Sequence, residues 1–247
     1  MSTTIDPLWI DLYAGDGDVA VENTAEAGRP WIGYGLKVNQ GDWYDGGTWF
    51  QKMWPRVKEA GGDRYGQDWF RAGYVYIDYA ISAERNANCY LQTIDRAGGV
   101  SYGDLGPVLD AERGGQRVQL SATLVEDTTA KVAEILHGAT GQPPILYGGE
   151  LIRSLGITSK MGCPYLWCAE YAAHLDPSIY LKMGYTLAEV LFWQYAGKIN
   201  ATTVDAKLVG YPVTTPAGLA DISATIVAGG GEAAVTFLRE TFCVRAA

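Results

Sequence analysis

The chain has 247 residues, 48% of them hydrophobic and 19% charged, and its formal net charge is −9. That apolar content excludes an intrinsically disordered chain, and the acidic balance argues against nucleic acid as a partner, because a phosphate backbone would be repelled. No apolar run approaches the length of a bilayer span, so membrane insertion is not expected.

The opening residues, MSTTIDPLWIDLYAGDGD, carry acids where a secretory signal carries bases, so no signal peptide is expected. Residues 8–13, LWIDLY, read as a first strand, with Trp9, Asp11 and Tyr13 on one face and Ile10 and Leu12 on the other. An Asp inside an apolar strand is costly to bury alone, so Asp11 belongs either at a wet barrel mouth, the favoured reading, or hydrogen-bonded in the interior. The following AGDGD reads as turn or loop. Residues 31–39, WIGYGLKVN, form a second strand candidate carrying Lys37. Residues 42–62 read as loop and then helix, since Trp49, Phe50, Met53, Trp54 and Val57 recur at helical spacing. A third strand, 72–79, alternates Tyr74, Tyr76 and Asp78 against Val75, Ile77 and Tyr79, and a Ser-capped amphipathic helix follows over 82–97.

The stretch 105–115, LGPVLDAERGG, begins with a Gly-Pro turn signal and ends on paired glycines. Between them, Val108 and Leu109 lead into Asp110 and Glu112, which share one face if the strand persists through Ala111. Helix 120–137, strand 145–147 and a short helix over 150–155 come next. Strand candidates at 165–171 (YLWCAEY) and 190–195 (VLFWQY) follow. A long polar loop, 197–218, precedes a possible eighth strand at 219–223 (LADIS) and a closing helix at 232–242.

Eight short apolar runs, several separated by helical patterns, predict an α/β chain with a parallel sheet. A chain of this size suits an eight-stranded TIM-like (β/α) barrel, here irregular because some helices are short or missing. No linker or internal repeat divides it, so residues 1–247 read as a single domain. Cys89, Cys163, Cys168 and Cys243 fit no zinc spacing, there are only two histidines, and no nucleotide or haem motif is present. Free thiols, no metal and no cofactor are therefore expected. The 31 glycines, 16 tyrosines and 8 tryptophans favour tight turns and a sugar- or ligand-binding surface.

In order and spacing, IDLYAG, GLKVNQG, AGYVYID, GPVLDAE, PILYGG, YLWCAEY, FWQYAG and ADIS resemble the family 25 glycoside hydrolases, the lysozymes or N-acetylmuramidases that include phage endolysins. The resemblance implies an unusual β/α barrel with a groove at the C-terminal strand ends. It also implies hydrolysis of the β-1,4 bond between N-acetylmuramic acid and N-acetylglucosamine in peptidoglycan. The family's acidic residues fall here on Asp11, Asp110, Glu112 and Asp221, with Asp205 a competitor for the last. Two departures bear on subsite detail: Tyr76 stands where many members have His, and Asn39-Gln40 where Thr-Glu is common.

Glycosidic cleavage needs a proton donor at the leaving oxygen and negative charge near the oxocarbenium-like centre. Glu112 is the candidate general acid, its pKa raised by neighbouring Asp110 and an aromatic groove; the structural alternative is a Glu paired with Arg113 or a nearby Lys. Asp110 either acts on the sugar directly or, the favoured reading, orients the substrate's 2-acetamido group. Asp11 and Asp221 either stabilise charge or close the barrel mouth by hydrogen bonding. Tyr13, Tyr34, Lys37, Tyr76, Tyr147, Trp167, Tyr171, Trp193 and Gln194 are the candidate substrate contacts, with Lys37 expected to find an acidic partner. The expected partner is a peptidoglycan glycan strand, met by a monomer made in the cytoplasm and acting on the cell wall as a phage endolysin or virion-associated enzyme. No separate wall-binding module is seen. The competing readings are a non-catalytic carbohydrate-binding or structural barrel and a chitinase-like glycosidase.

Overall fold

A computed structural model describes residues 6–172, 174–196, 221–226 and 231–244. Eight strands close a barrel in chain order: β1 (Leu8–Leu12), β2 (Trp31–Gln40), β3 (Phe70–Tyr76), β4 (Val108–Asp110), β5 (Ile145–Gly148), β6 (Tyr165–Ala169), β7 (Val190–Ala196) and β8 (Asp221–Thr225). Around it lie α1 (Val21–Ala27), α2 (Gly47–Gly61), α3 (Ala83–Arg96), α4 (Ala122–Thr140), α5 (Glu150–Ser154), α6 (Pro177–Lys182) and α7 (Gly231–Thr241).

Strands β1 to β7 are parallel, as the alternation of strand and helix predicts. The expectation of a wholly parallel sheet fails at β8, which runs antiparallel to both β7 and β1. A parallel partner needs a crossover that returns the chain to the starting end of the sheet. β8 instead starts at the end where β7 stops: Ile222 faces Ala196, and Asp221 faces Asp11. Asp205 and the long loop lie outside the described residues.

Period-two alternation divides the strand residues between two apolar layers. Trp9, Ile32, Phe70, Val108, Ile145, Trp167 and Phe192 form one layer together with Ala234, Val235 and Leu238 of α7, so that helix plugs the barrel. Trp9 stacks on Phe192 with ring centroids 5.3 Å apart and meets Trp167 edge-on at 6.3 Å. These rings need room on β2. A Cβ on Gly35 would lie 3.0 Å from the Trp167 ring and 3.1 Å from Trp9 Nε1, so a side chain there would have to push the rings back, and glycine lets them approach closely. Ile10, Leu36, Val75, Leu109, Leu146 and Leu166 form the other layer, against Phe50 and Met53 of α2, Tyr90 and Ile94 of α3, and Val132 and Leu136 of α4.

The helix signals were of unequal strength. Ser82 caps α3 by accepting from the Arg85 amide at 3.3 Å, and Ser121 caps α4 through the Leu124 amide at 3.2 Å. Gly141 ends α4 in the left-handed region, at φ 69°. The sequence reading missed α1 and α6. α1 has seven residues and no side-chain cap, which leaves little periodicity to read. α6 is short too, but Asp176 caps it and Pro177 occupies its first turn, a start signal that was legible. The four cysteines are free. Among the described residues no helix is long and apolar enough to cross a membrane.

Candidate active site

The C-terminal ends of the parallel strands surround a cavity of about 200 Å³. β1 brings Asp11 to it and β8 brings Asp221, the two facing each other in register across the antiparallel pair. β4 brings Asp110 as its last residue, flanked in register by Tyr76 of β3 and Tyr147 of β5. Glu112, two residues further on, lines the same cavity, as same-face spacing predicts. β2 adds Lys37. All four acids named from the sequence therefore meet in one place.

Asp110 lies deepest of the β4 pair, only 5% exposed, and its Oδ1 has no hydrogen-bond partner among the described residues. Burial first, and then the Glu112 charge, push its carboxyl well above the usual aspartate range, while Lys37 pulls against them. Glu112 is half-buried. Burial raises its carboxyl too, against Lys37 and with the help of Asp221. Asp11 is raised well above the ordinary value by burial and by the Asp221 and Asp110 charges. Lys37 is lowered by burial, against the pull of Asp110 and Glu112. The expected acidic partner for Lys37 is not a contact ion pair. Its ammonium donates to Gln40 Oε1 at 3.0 Å and sits 4.4 Å over the Tyr76 ring, and it acts on the carboxylates through space. Nor does Arg113 neutralise Glu112. Its guanidinium turns outward to Glu150 at 3.6 Å and to Ser154 Oγ at 2.8 Å.

Of the expected substrate contacts, Tyr13, Lys37, Tyr76, Tyr147, Trp167 and Tyr171 line the cavity. Tyr13 and Tyr171 stand at its rim, 48% and 45% exposed. The Tyr76 hydroxyl donates to the Gly114 carbonyl and so ties down the loop that carries Glu112. Trp167 packs edge-on to Tyr147 at 5.2 Å and donates from Nε1 to Ser223 Oγ at 2.8 Å.

Three expected contacts are elsewhere. Tyr34 is fully buried among the residues packed outside the barrel, its hydroxyl donating to Thr24 Oγ1 at 2.6 Å. It lies three residues from Lys37, and odd spacing puts the two on opposite faces. Trp193 is likewise turned away and donates from Nε1 to the Glu170 carbonyl at 2.8 Å. Its neighbour Gln194 takes the inward position but has no exposed surface. Gln194 Nε2 donates to Asp11 Oδ1 at 3.2 Å, and its Oε1 accepts from the Tyr147 hydroxyl. It fixes Asp11 and Tyr147 and does not reach the cavity. Sequence reasoning missed Tyr74, which lines the cavity and donates to the Leu12 carbonyl at 3.3 Å. The alternation that selected Tyr76 contained it. Asp78, on the same predicted face, is instead held by Arg117 and the Ala80 amide.

Among the described residues no group of His, Cys, Asp and Glu could hold a metal ion. The arrangement offers two neighbouring carboxyls, Glu112 nearer the mouth and Asp110 more deeply buried, both shifted above the ordinary carboxylate range, and aromatic walls that suit the apolar faces of sugar rings.

No family model matches the chain. It is 28% identical over 123 residues to YegX, an uncharacterised protein of Escherichia coli (strain K12). That match covers 50% of this chain and 40% of YegX, so the chain spans less than half the length of the curated relative it matches. Solved structures extend the comparison to the whole fold. A muramidase from Trichobolus zukalii superimposes with a TM-score of 0.70 at 18% identity, covering 95% of this chain and 100% of the other. A family 25 glycosyl hydrolase from Bacillus anthracis gives 0.67 at 15% identity, over 91% of this chain and 90% of its own. The chain thus has the barrel fold of the family 25 lysozymes, with β8 closing it.

Proposed function

We propose that this protein is a muramidase, a glycoside hydrolase cleaving the β-1,4 bond between N-acetylmuramic acid and N-acetylglucosamine in peptidoglycan. The observation that carries the reading is the convergence of Asp11, Asp110, Glu112 and Asp221 on one aromatic-walled cavity at the strand ends. That is where barrels of this kind hold their chemistry, and a fold alone would not require it.

In this reading Glu112 is the general acid. Two carboxyls as close as Asp110 and Glu112 do not both ionise cheaply, so the pair holds a proton to higher pH than an isolated carboxyl would. Glu112, nearer the mouth, passes that proton to the glycosidic oxygen as the bond to the anomeric carbon breaks. Asp110, with an unpartnered buried oxygen, accepts from the N–H of the 2-acetamido group and turns its carbonyl oxygen toward the anomeric carbon. Glu112, now ionised, then takes a proton from the water that opens the resulting ring. Asp11, oriented by Gln194, and Asp221 supply negative charge beside the cationic centre.

The test is clearing of purified peptidoglycan followed by identification of the new reducing ends. Muramic acid ends made by the parent and lost in Glu112→Gln are the expected result. N-acetylglucosamine ends would rule out muramidase action, and sugar binding without cleavage would make the barrel a binding module. A lytic role of the endolysin kind rests on the same cleavage and is checked by the same clearing assay on whole cells.

A further inference from the structure

A second cleft, of about 500 Å³, opens beside the cavity and shares Glu112 and Tyr171 with it. Its walls come from the residues after β4, from α5 and from the residues after β6. Two arginines reach it, and they differ. Arg113 is neutralised by Glu150. Arg153, on α5, is partly buried and donates from Nε to the Gly149 carbonyl at 3.3 Å, but forms no ion pair among the described residues. Its charge acts on Glu170 across the cleft through space and not by a contact pair, so the guanidinium keeps donors open to an incoming carboxylate. Glu170, on the facing wall, accepts from the Asp176 amide at 3.0 Å; burial raises its carboxyl, while that amide and the Arg153 charge pull it down.

The first cavity, with four acids against Lys37, suits an anion less well than the second, where Glu112, Glu150 and Glu170 stand against Arg113 and Arg153. Yet the muramic acid ring that would sit in the first carries, on O3, a lactyl group that leads into a peptide bearing free carboxylates. That branch must leave the cavity within a sugar's width of Glu112. We infer that the second cleft is its exit and binds the peptide stem of the substrate, with Arg153 pairing to a stem carboxylate and Tyr171 standing where glycan and stem diverge. This rests on the muramidase reading. It makes the substrate a peptide-bearing strand and not a bare glycan.

The experiment compares kcat/KM on intact peptidoglycan strands with that on strands stripped of their stems by an amidase. The parent is expected to prefer intact strands by about tenfold, the size of one well-placed charged contact. Arg153→Gln should bring that ratio close to one, and Arg153→Glu should invert it, with melting temperatures within a degree or so of the parent confirming the fold. A parent without preference, or an Arg153→Gln protein that keeps it, would overturn the inference. A second arm measures binding of a free stem tetrapeptide to the full chain carrying Glu112→Gln, with and without Arg153→Gln. If the parent cleaves neither strand, the muramidase reading fails by itself and the cleft is judged on this arm. Tetrapeptide binding weakened by Arg153→Gln supports it, and binding absent or indifferent to Arg153 overturns it.

Discussion

At the scale of single residues, the site is built from carboxyls and an ammonium whose pKa values burial shifts toward the neutral form. Replacing Glu112 by Gln keeps the shape and removes the proton, so kcat is expected to fall by about 10²–10⁴ with little change in KM, measured on soluble glycan strands. The neighbours of Glu112 set its pKa in opposite directions. Asp221→Asn removes a charge that raises it, so the alkaline limb of the pH–rate profile should move to lower pH. Lys37→Met removes a charge that lowers it, and the limb should move to higher pH. Limbs that stay in place would dissociate the profile from Glu112.

The same carboxyls carry a stability cost whose sign is fixed. Asp110 and Glu112 have folded pKa values above their unfolded ones, so their contribution to stability is present below the unfolded value and is lost as pH rises through the folded one. Asp110→Asn is therefore expected to be more stable than the parent at neutral pH, by about 0.5–2 kcal/mol, and to lose that advantage as pH falls toward about 4. Urea titrations at both pH values check it. A gain that persists at acid pH would point to packing instead of charge.

At the scale of elements, Gly35 is where β2 makes way for Trp9 of adjacent β1 and for Trp167 reaching across the barrel from β6. Gly35→Ala adds a single methyl, yet nothing but ring displacement accommodates it, and a loss of about 1–3 kcal/mol is expected by thermal or urea unfolding. Much at this scale was legible in the sequence. The strand alternation around Asp11, Asp110 and Tyr76 follows from period two, and Ser82 and Ser121 announce the helices they cap. What was not legible has definite causes. Tyr34 and Trp193 are aromatic and lie beside functional positions, but one odd step along a strand turns a side chain to the other layer. The resemblance marks a stretch of chain and does not by itself choose the face. Gln194 faces the right way and still does not line the cavity: a hydrogen bond from Tyr147 and one to Asp11 hold it beneath the surface. Tyr74 was missed for the converse reason: it read as ordinary strand alternation, although the barrel closes its ring into the cavity.

At the scale of the whole molecule, the inner apolar layer is sealed by α7, which makes the barrel dependent on its last described helix. Leu238 of that helix has no exposed surface, and Leu238→Ala is expected to cost about 2–5 kcal/mol, read from the shift of the urea midpoint at an unchanged slope. The reversal of β8 was beyond the sequence, since strand direction depends on where the connecting segment delivers the chain and not on the pattern of the strand itself. That reversal has a kinetic consequence. Asp11 and Asp221 are neighbours in space but stand at the two extremes of the strand order, so their pairing closes the longest loop in the barrel. Helices such as α3 and α4 depend on local contacts and can form early. In a refolding experiment, helical circular dichroism should therefore recover ahead of the proposed lytic activity, and the event that closes the barrel would also be the one that assembles the acidic cluster.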